Sequence, residues 1–120
     1  MAKTQKELRA RRAANLRWRI KHKDRIRVMK RAEKLQRFYG LTVADYEAIL
    51  FSQNGVCAVC LRPNHEFQYG KRAALHVDHN HETKQVRGLL CGNCNRALGI
   101  LHEDPLRIEA LARYIRETDG

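Results

Sequence analysis

Apolar and polar positions follow different rhythms along this chain. From Lys3 to Phe38 the apolar residues are sparse and helically spaced: Leu16/Ile20 and Val28/Ala32 lie four apart, with Leu35 and Phe38 beyond. This stretch contains no Gly or Pro and is rich in Arg, Lys, Ala and Leu, all good helix formers. One helix over it would be about 50 Å long at about 1.5 Å per residue. Gly40 ends it. Thr42 then caps a second helix, with Asp45 in the first turn favouring the helix dipole. Val43, Tyr46, Ile49 and Leu50 give that helix a core face, and Asn54-Gly55 stops it. Residues 62–72 are polar and read as loop. Leu75-His76-Val77-Asp78 alternates with period two and predicts a short strand. A polar turn over Asn80–Gln85 leads to a returning strand at Val86–Leu90, with Gly88 at a bulge. A third helix is expected from Cys91 through Leu101. Asp104-Pro105 suits the start of a last helix, in which Ile108, Leu111, Ala112 and Ile115 recur at i, i+3, i+4 and i+7. There are no internal repeats. The pattern predicts an α+β fold, with a long N-terminal helix over 1–39 and a small body over 40–120.

Charge sharpens this division. Residues 1–40 hold 15 Lys/Arg against 3 Asp/Glu, a net +12, whereas residues 41–120 hold 9 against 10, a net −1. Like charges meet four apart in the arm, as in Arg17/Lys21, Lys21/Arg25, Arg27/Arg31 and Lys30/Lys34. Each such pair costs a few tenths of a kcal/mol, so the arm should fray alone and firm up on phosphates. Nucleic acid is the natural partner, with Arg17, Arg19, Lys21 and Arg25 as contacts; an anionic membrane surface is the weaker alternative. Trp18 either stacks on a base or covers part of a helix contact. No apolar run follows the N-terminal charges and nothing approaches a membrane span, so a cytoplasmic protein with reduced thiols is expected.

Under those conditions four cysteines point to metal. Cys57-x-x-Cys60 and Cys91-x-x-Cys94 are two matched knuckles, the donor set of a closed, tetrahedral, structural Zn²⁺ site. Free buried thiols, two disulfides or a redox pair explain the spacing less well. Simple zinc ribbons separate their knuckles by about 15 to 20 residues. Here residues 61–90 intervene, and they contain "HVDHNH" at 76–81.

That cluster suggests a second, oxygen-rich site. Asp78 and Asn95 are hard donors suited to Mg²⁺ or Mn²⁺. His79, beside Asp78, is of a type that can take a proton from water near neutral pH. Metal, base and phosphate together would make a phosphodiesterase. The plainer reading is that Asp–His pairs in turns are often only hydrogen-bonded, and that His76 or His81 singly is more often a surface or packing residue. Arg87 and Arg96 flank the cluster as phosphate clamps or as surface salt-bridge partners.

"YGLTVADYEAILFSQNGVCAVC" and "LHVDHNHETKQVRGLLCGNCNRALG", with the closing helix, resemble the recombination endonuclease VII family of phage HNH, or His-Me finger, nucleases over about residues 39–116. The resemblance implies a ββα-metal fold around zinc on Cys57, Cys60, Cys91 and Cys94. It implies that Asp78 and Asn95 hold the catalytic Mg²⁺ or Mn²⁺, that His79 is the general base and that His81 contacts phosphate or transfers a proton. It further implies DNA hydrolysis to 5′-phosphate and 3′-hydroxyl ends, a homodimer, and an association with phage DNA-packaging proteins. This chain has "DHNH" and Leu98 where the best-known member has "DHDH" and a glutamate, and its long helix precedes the body instead of following it. A nicking or branched-DNA-cleaving enzyme is therefore expected. The alternatives are a strict Holliday junction resolvase and a non-catalytic zinc-ribbon DNA-binding protein.

Overall fold

A computed structural model describes residues 1–68 and 70–118; Tyr69 and the last two residues of the expected 40–120 body lie outside the described residues. The chain divides into two compact units, Met1–Val43 and the remainder from Ala44.

In the first unit the expected single helix is two. α1 spans Gln5–Lys21 and α2 spans Lys23–Tyr39, separated at His22. No Gly or Pro marks the break. The His22 side chain explains it: both its backbone N (3.0 Å) and its Nδ1 (2.8 Å) lie on the Trp18 carbonyl. A side chain competing for a helical carbonyl offers the backbone another conformation. The His22 ring also stacks on Trp18, centroids 4.3 Å apart. α1 starts on a capping box, in which the Glu7 amide donates to Thr4 Oγ1 and the Thr4 amide donates to Glu7 Oε2. α2 ends at Gly40, whose left-handed φ of 64° turns its N–H back onto Gln36 and Leu35. No residue of α1 is buried.

All of α3 (Val43–Ser52) but its first residue belongs to the second unit, and left-handed Asn54 and Gly55 follow it. The 62–72 stretch expected as loop carries a minimal hairpin, β1 (Phe67–Gln68) with β2 (Lys71–Arg72). Its strands are exposed on both faces, so no apolar alternation announced them. β3 (His76–His79) then pairs antiparallel with β4 (Val86–Leu90). α4 spans Gly92–Ile100 and α5 spans Pro105–Thr118, with Asp104 Oδ1 accepting from the Leu106 amide at its start.

The core lies where α3, β3 and β4 supply Tyr46, Val77, Leu89 and Leu90, together with Leu75 just before β3 and with Cys57 and Cys91. Two side chains bind it by substituting for backbone. The Tyr46 hydroxyl donates to the Leu75 carbonyl at 2.7 Å. Gln53 meets Leu89 as a neighbouring strand would, its Nε2 donating to the carbonyl and its Oε1 accepting from the amide, each at 2.9 Å. A Cβ at position 88 would lie 3.2 Å from that Gln53 oxygen, which explains a glycine there. Buried Asn64 ties the hairpin region to α4: its Nδ2 donates to the Ala73 and Ala74 carbonyls, and its Oδ1 accepts from Gly92. The apolar repeat of α5 does not join this core, since Leu111 and Ile115 are exposed.

Candidate active site

Cys57 and Cys60 lie on the turn after α3; Cys91 and Cys94 span the end of β4 and the first turn of α4. All four are free thiols, and their sulfurs lie within 4.8 Å of one another. The Cys60 and Cys91 sulfurs are 3.8 Å apart. A tetrahedral ion with Zn–S bonds of about 2.3 Å sets its sulfurs about 3.8 Å apart, so the donors fit zinc. Backbone amides of Val59 and Cys94 face the Cys57 and Cys91 sulfurs at 3.4 and 3.5 Å, as thiolates require. Burial pushes the Cys57 thiol up, but the backbone amides of Cys91, Cys60 and Val59, with the Cys60 side chain, overcome it and bring it down to about 6. Cys94 moves oppositely, to about 12, through burial and then through the sulfurs around it. Four thiolates in one place would need a cation among them, and the cluster can hold a structural metal such as zinc.

The metal knuckles frame β3, β4 and α4, which carry the acid–histidine cluster. Asp78 pairs with Gly88 and His79 with Val86, so Arg87 is the extra residue of a β-bulge. The bulge expected at Gly88 is therefore one residue earlier. In an unbroken ladder Arg87 would face away from the Asp78 side, because neighbouring residues alternate faces. The bulge re-aims it. Its guanidinium then grips Asp78 by both oxygens, Nε to Oδ2 at 2.8 Å and Nη2 to Oδ1 at 3.0 Å. These bonds hold Arg87 firmly protonated, and Asp78 is only 9% exposed.

The turn after β3 is built by Asn80. Its Oδ1 accepts from the Glu82 and Thr83 amides at 2.8 and 3.1 Å, while its backbone N–H reaches the Gln85 carbonyl. That turn presents His81. The His79 and His81 rings lie 4.8 Å apart, centroid to centroid. His81 Nδ1 meets Glu103 Oε1 at 2.8 Å, and Arg87 Nη2 meets the same oxygen at 3.0 Å. Asp78, Arg87, Glu103 and His81 thus form one continuous chain beside an open pocket of about 490 Å³.

Of the residues singled out from sequence, the structure joins Asp78 to Arg87 directly, links His81 to Arg87 through Glu103 and places His79 against His81. Asn95 is half-buried in the first turns of α4, its amide on the Cys91 carbonyl. Arg96 instead contacts Asn93 and Glu66, at 2.9 and 3.4 Å. Arg17, Arg19, Lys21 and Arg25 are exposed on α1 and α2. Sequence reasoning missed Glu103, which sits in a polar link before α5 and is recruited only by tertiary structure. It also missed Glu66, whose carboxylate lies against Gly92 at the start of α4 and faces His76 and Arg96.

The fold and its donors define a small α+β domain with a four-thiol cluster that can hold a metal and an acid–histidine–arginine cluster beside it. The chain belongs to the recombination endonuclease VII family, whose pattern matches residues 32–117. Two phage relatives are similar over 58 residues. The Gene 59 protein of Mycobacterium phage D29 is 50% identical and that of Mycobacterium phage L5 is 47% identical. Each match covers 48% of this chain, and the chain spans about a third (32%) of either relative. No solved structure matches. Among the described residues, no helix is long and apolar enough to cross a membrane.

Proposed function

We propose that the protein is a metal-dependent DNA endonuclease of the His-Me finger type, cutting phosphodiesters as a phage nicking or branched-DNA-cleaving enzyme. The observation that carries this reading is the nearly buried Asp78 carboxylate, held against a cation on a bulged strand between two metal-binding knuckles. A carboxylate and an amide oxygen suit Mg²⁺ or Mn²⁺, so Asp78 and Asn95 would hold the ion. Arg87 already meets Asp78 with positive charge and can yield an oxygen while keeping Glu103. When bound, the ion would stabilise charge building on the phosphate and on the leaving 3′ oxygen. His79 takes a proton from the attacking water. The new P–O bond forms as the bond to the 3′ oxygen breaks, leaving 5′-phosphate and 3′-hydroxyl ends. His81 contacts the phosphate or returns a proton to the leaving oxygen. Arg17, Arg19, Lys21 and Arg25 supply sequence-independent grip on the DNA backbone.

Supercoiled plasmid with Mg²⁺ or Mn²⁺ tests this: wild type converts it to nicked or linear form, and His79→Ala does not. Equal cutting by His79→Ala would remove His79 from its role. One observation favours a second reading, a non-cutting zinc-ribbon DNA binder: both Asp78 oxygens and His81 Nδ1 are already taken by internal ion pairs. DNA binding without cleavage under every divalent metal would establish it. A four-way junction beside a matched linear duplex separates junction resolution from general nicking.

A further inference from the structure

We propose that Glu103 is a positioning residue of the active centre, fixing the proton-bearing nitrogen of His81 and giving Arg87 a second carboxylate. This rests on the nuclease reading above. The backbone at this point is unusual. His102 and Glu103 both have left-handed φ, 53° and 55°, although neither is glycine. Two consecutive L-residues in that region are costly and persist only where surrounding structure over-determines them. The amides hold part of this geometry, His102 on the Gly99 carbonyl at 3.2 Å and Glu103 on the Leu98 carbonyl at 2.9 Å. Glycine at 103 would satisfy the same bonds without strain. The chain instead presents a carboxylate there, 21% exposed, and its Oε1 lies within 3.0 Å of both His81 Nδ1 and Arg87 Nη2.

The chemistry follows from the inventory of donors. An ionised carboxylate only accepts, so the His81 nitrogen facing it must be Nδ1–H. In the neutral ring Nε2 then carries the lone pair, poised to exchange a proton or, once protonated, to donate to phosphate. Arg87 is shared, because Nη2 lies 3.0 Å from Asp78 Oδ1 and 3.0 Å from Glu103 Oε1. Glu103 therefore retains the guanidinium at the pocket when Asp78 turns to another cation. Neither task brings Glu103 to the reacting atoms; it acts through His81 and Arg87.

Two-bond proton–nitrogen NMR correlations on the full chain at about pH 9, well above the ordinary histidine range, test the first task without any turnover. Wild type should show His81, assigned with His81→Ala, as Nδ1–H. Glu103→Ala should revert it to Nε2–H, the form free imidazole prefers. Glu103→Gln, whose amide oxygen still accepts, should retain Nδ1–H. In plasmid nicking, Glu103→Ala should lower kcat about 10- to 100-fold, as loss of an orienting partner typically does, with little change in KM. Glu103→Gly separates this role from folding: it should melt no lower than wild type yet lose the same activity. An Nε2–H tautomer in wild type, or unchanged tautomer and kcat in Glu103→Ala, overturns the proposal. A wild type that cuts no DNA overturns the nuclease reading and the active-centre role with it, while the tautomer result still decides whether Glu103 orients His81.

Discussion

Asp78 is gripped by Arg87 through two parallel hydrogen bonds, at 2.8 and 3.0 Å, from a residue that only a bulge can turn toward it. The pair is lopsided in exposure: the Asp78 side chain is 11% accessible and that of Arg87 is 37%. Removing the arginine therefore strands the better-buried partner. Arg87→Ala should destabilise the protein in chelator by about 1–3 kcal/mol, toward the lower end because the arginine is half in water. Urea unfolding measures it. Mn²⁺ should restore more stability to the variant than to wild type, since the ion then meets Asp78 without a competitor.

The thiol cluster predicts a pH optimum for the metal-stripped protein. Cys57 falls from its ordinary 9.0 to about 6, so its contribution is present above pH 9 and is lost as pH drops toward 6. Cys94 rises from 9.0 to about 12, so its contribution is present below pH 9 and is lost as pH climbs toward 12. Stability without metal should therefore peak near pH 9, as thermal melts across that range would show. Zinc removes the upper limb by keeping all four sulfurs deprotonated. Acidification should release it, read with a zinc-indicator dye, because protons compete for its ligands.

Asn80 organises the turn that presents His81. Asn80→Ala removes the oxygen that accepts from the Glu82 and Thr83 amides and should cost about 1–2 kcal/mol. Cleavage should fall further than stability explains, because His81 loses its placement. In the same turn Lys84 sits at a φ of 64°. Lys84→Gly should stabilise by up to about 1 kcal/mol without affecting cleavage. Chemical denaturation beside plasmid nicking checks both variants.

The arm should act through counterion release. Replacing Arg17, Arg19, Lys21 and Arg25 together with Ala should weaken binding to all duplex sequences alike. The log–log salt slope should drop by roughly 0.9 for each phosphate that is no longer neutralised. Fluorescence anisotropy at several salt concentrations measures this. An unchanged slope would remove these four residues from the interface.

Much of the fold is legible in the sequence where one residue type has few uses. Matched Cys-x-x-Cys pairs locate the thiol cluster, and the alternation at Leu75–Asp78 with Gly88 beyond locates the paired strands, although the bulge itself falls on Arg87. Asp104-Pro105 gives the start of α5. Other features have no local signal. The break at His22 arises from a side chain taking its own helix's carbonyl, where composition favours unbroken helix. The β1–β2 hairpin is too short and exposed to carry a hydrophobic rhythm. Gln53, Asn64 and Glu103 look like ordinary surface residues until the fold brings them to Leu89, Gly92 and His81. The apolar repeat in α5 misleads, because its spacing promises burial that the structure does not provide.

The Gln53 amide also guards the margin of the larger ribbon. Leu89 turns its N–H and C=O away from β3, toward what would be an open rim. Such a rim is a template for stray chains to add themselves, the first step of fibrous clumping. Gln53 occupies both groups, and the Ala58 amide shares the carbonyl at 3.0 Å. One side chain from the turn after α3 thereby closes the growing end, and so small a sheet needs no third strand for protection.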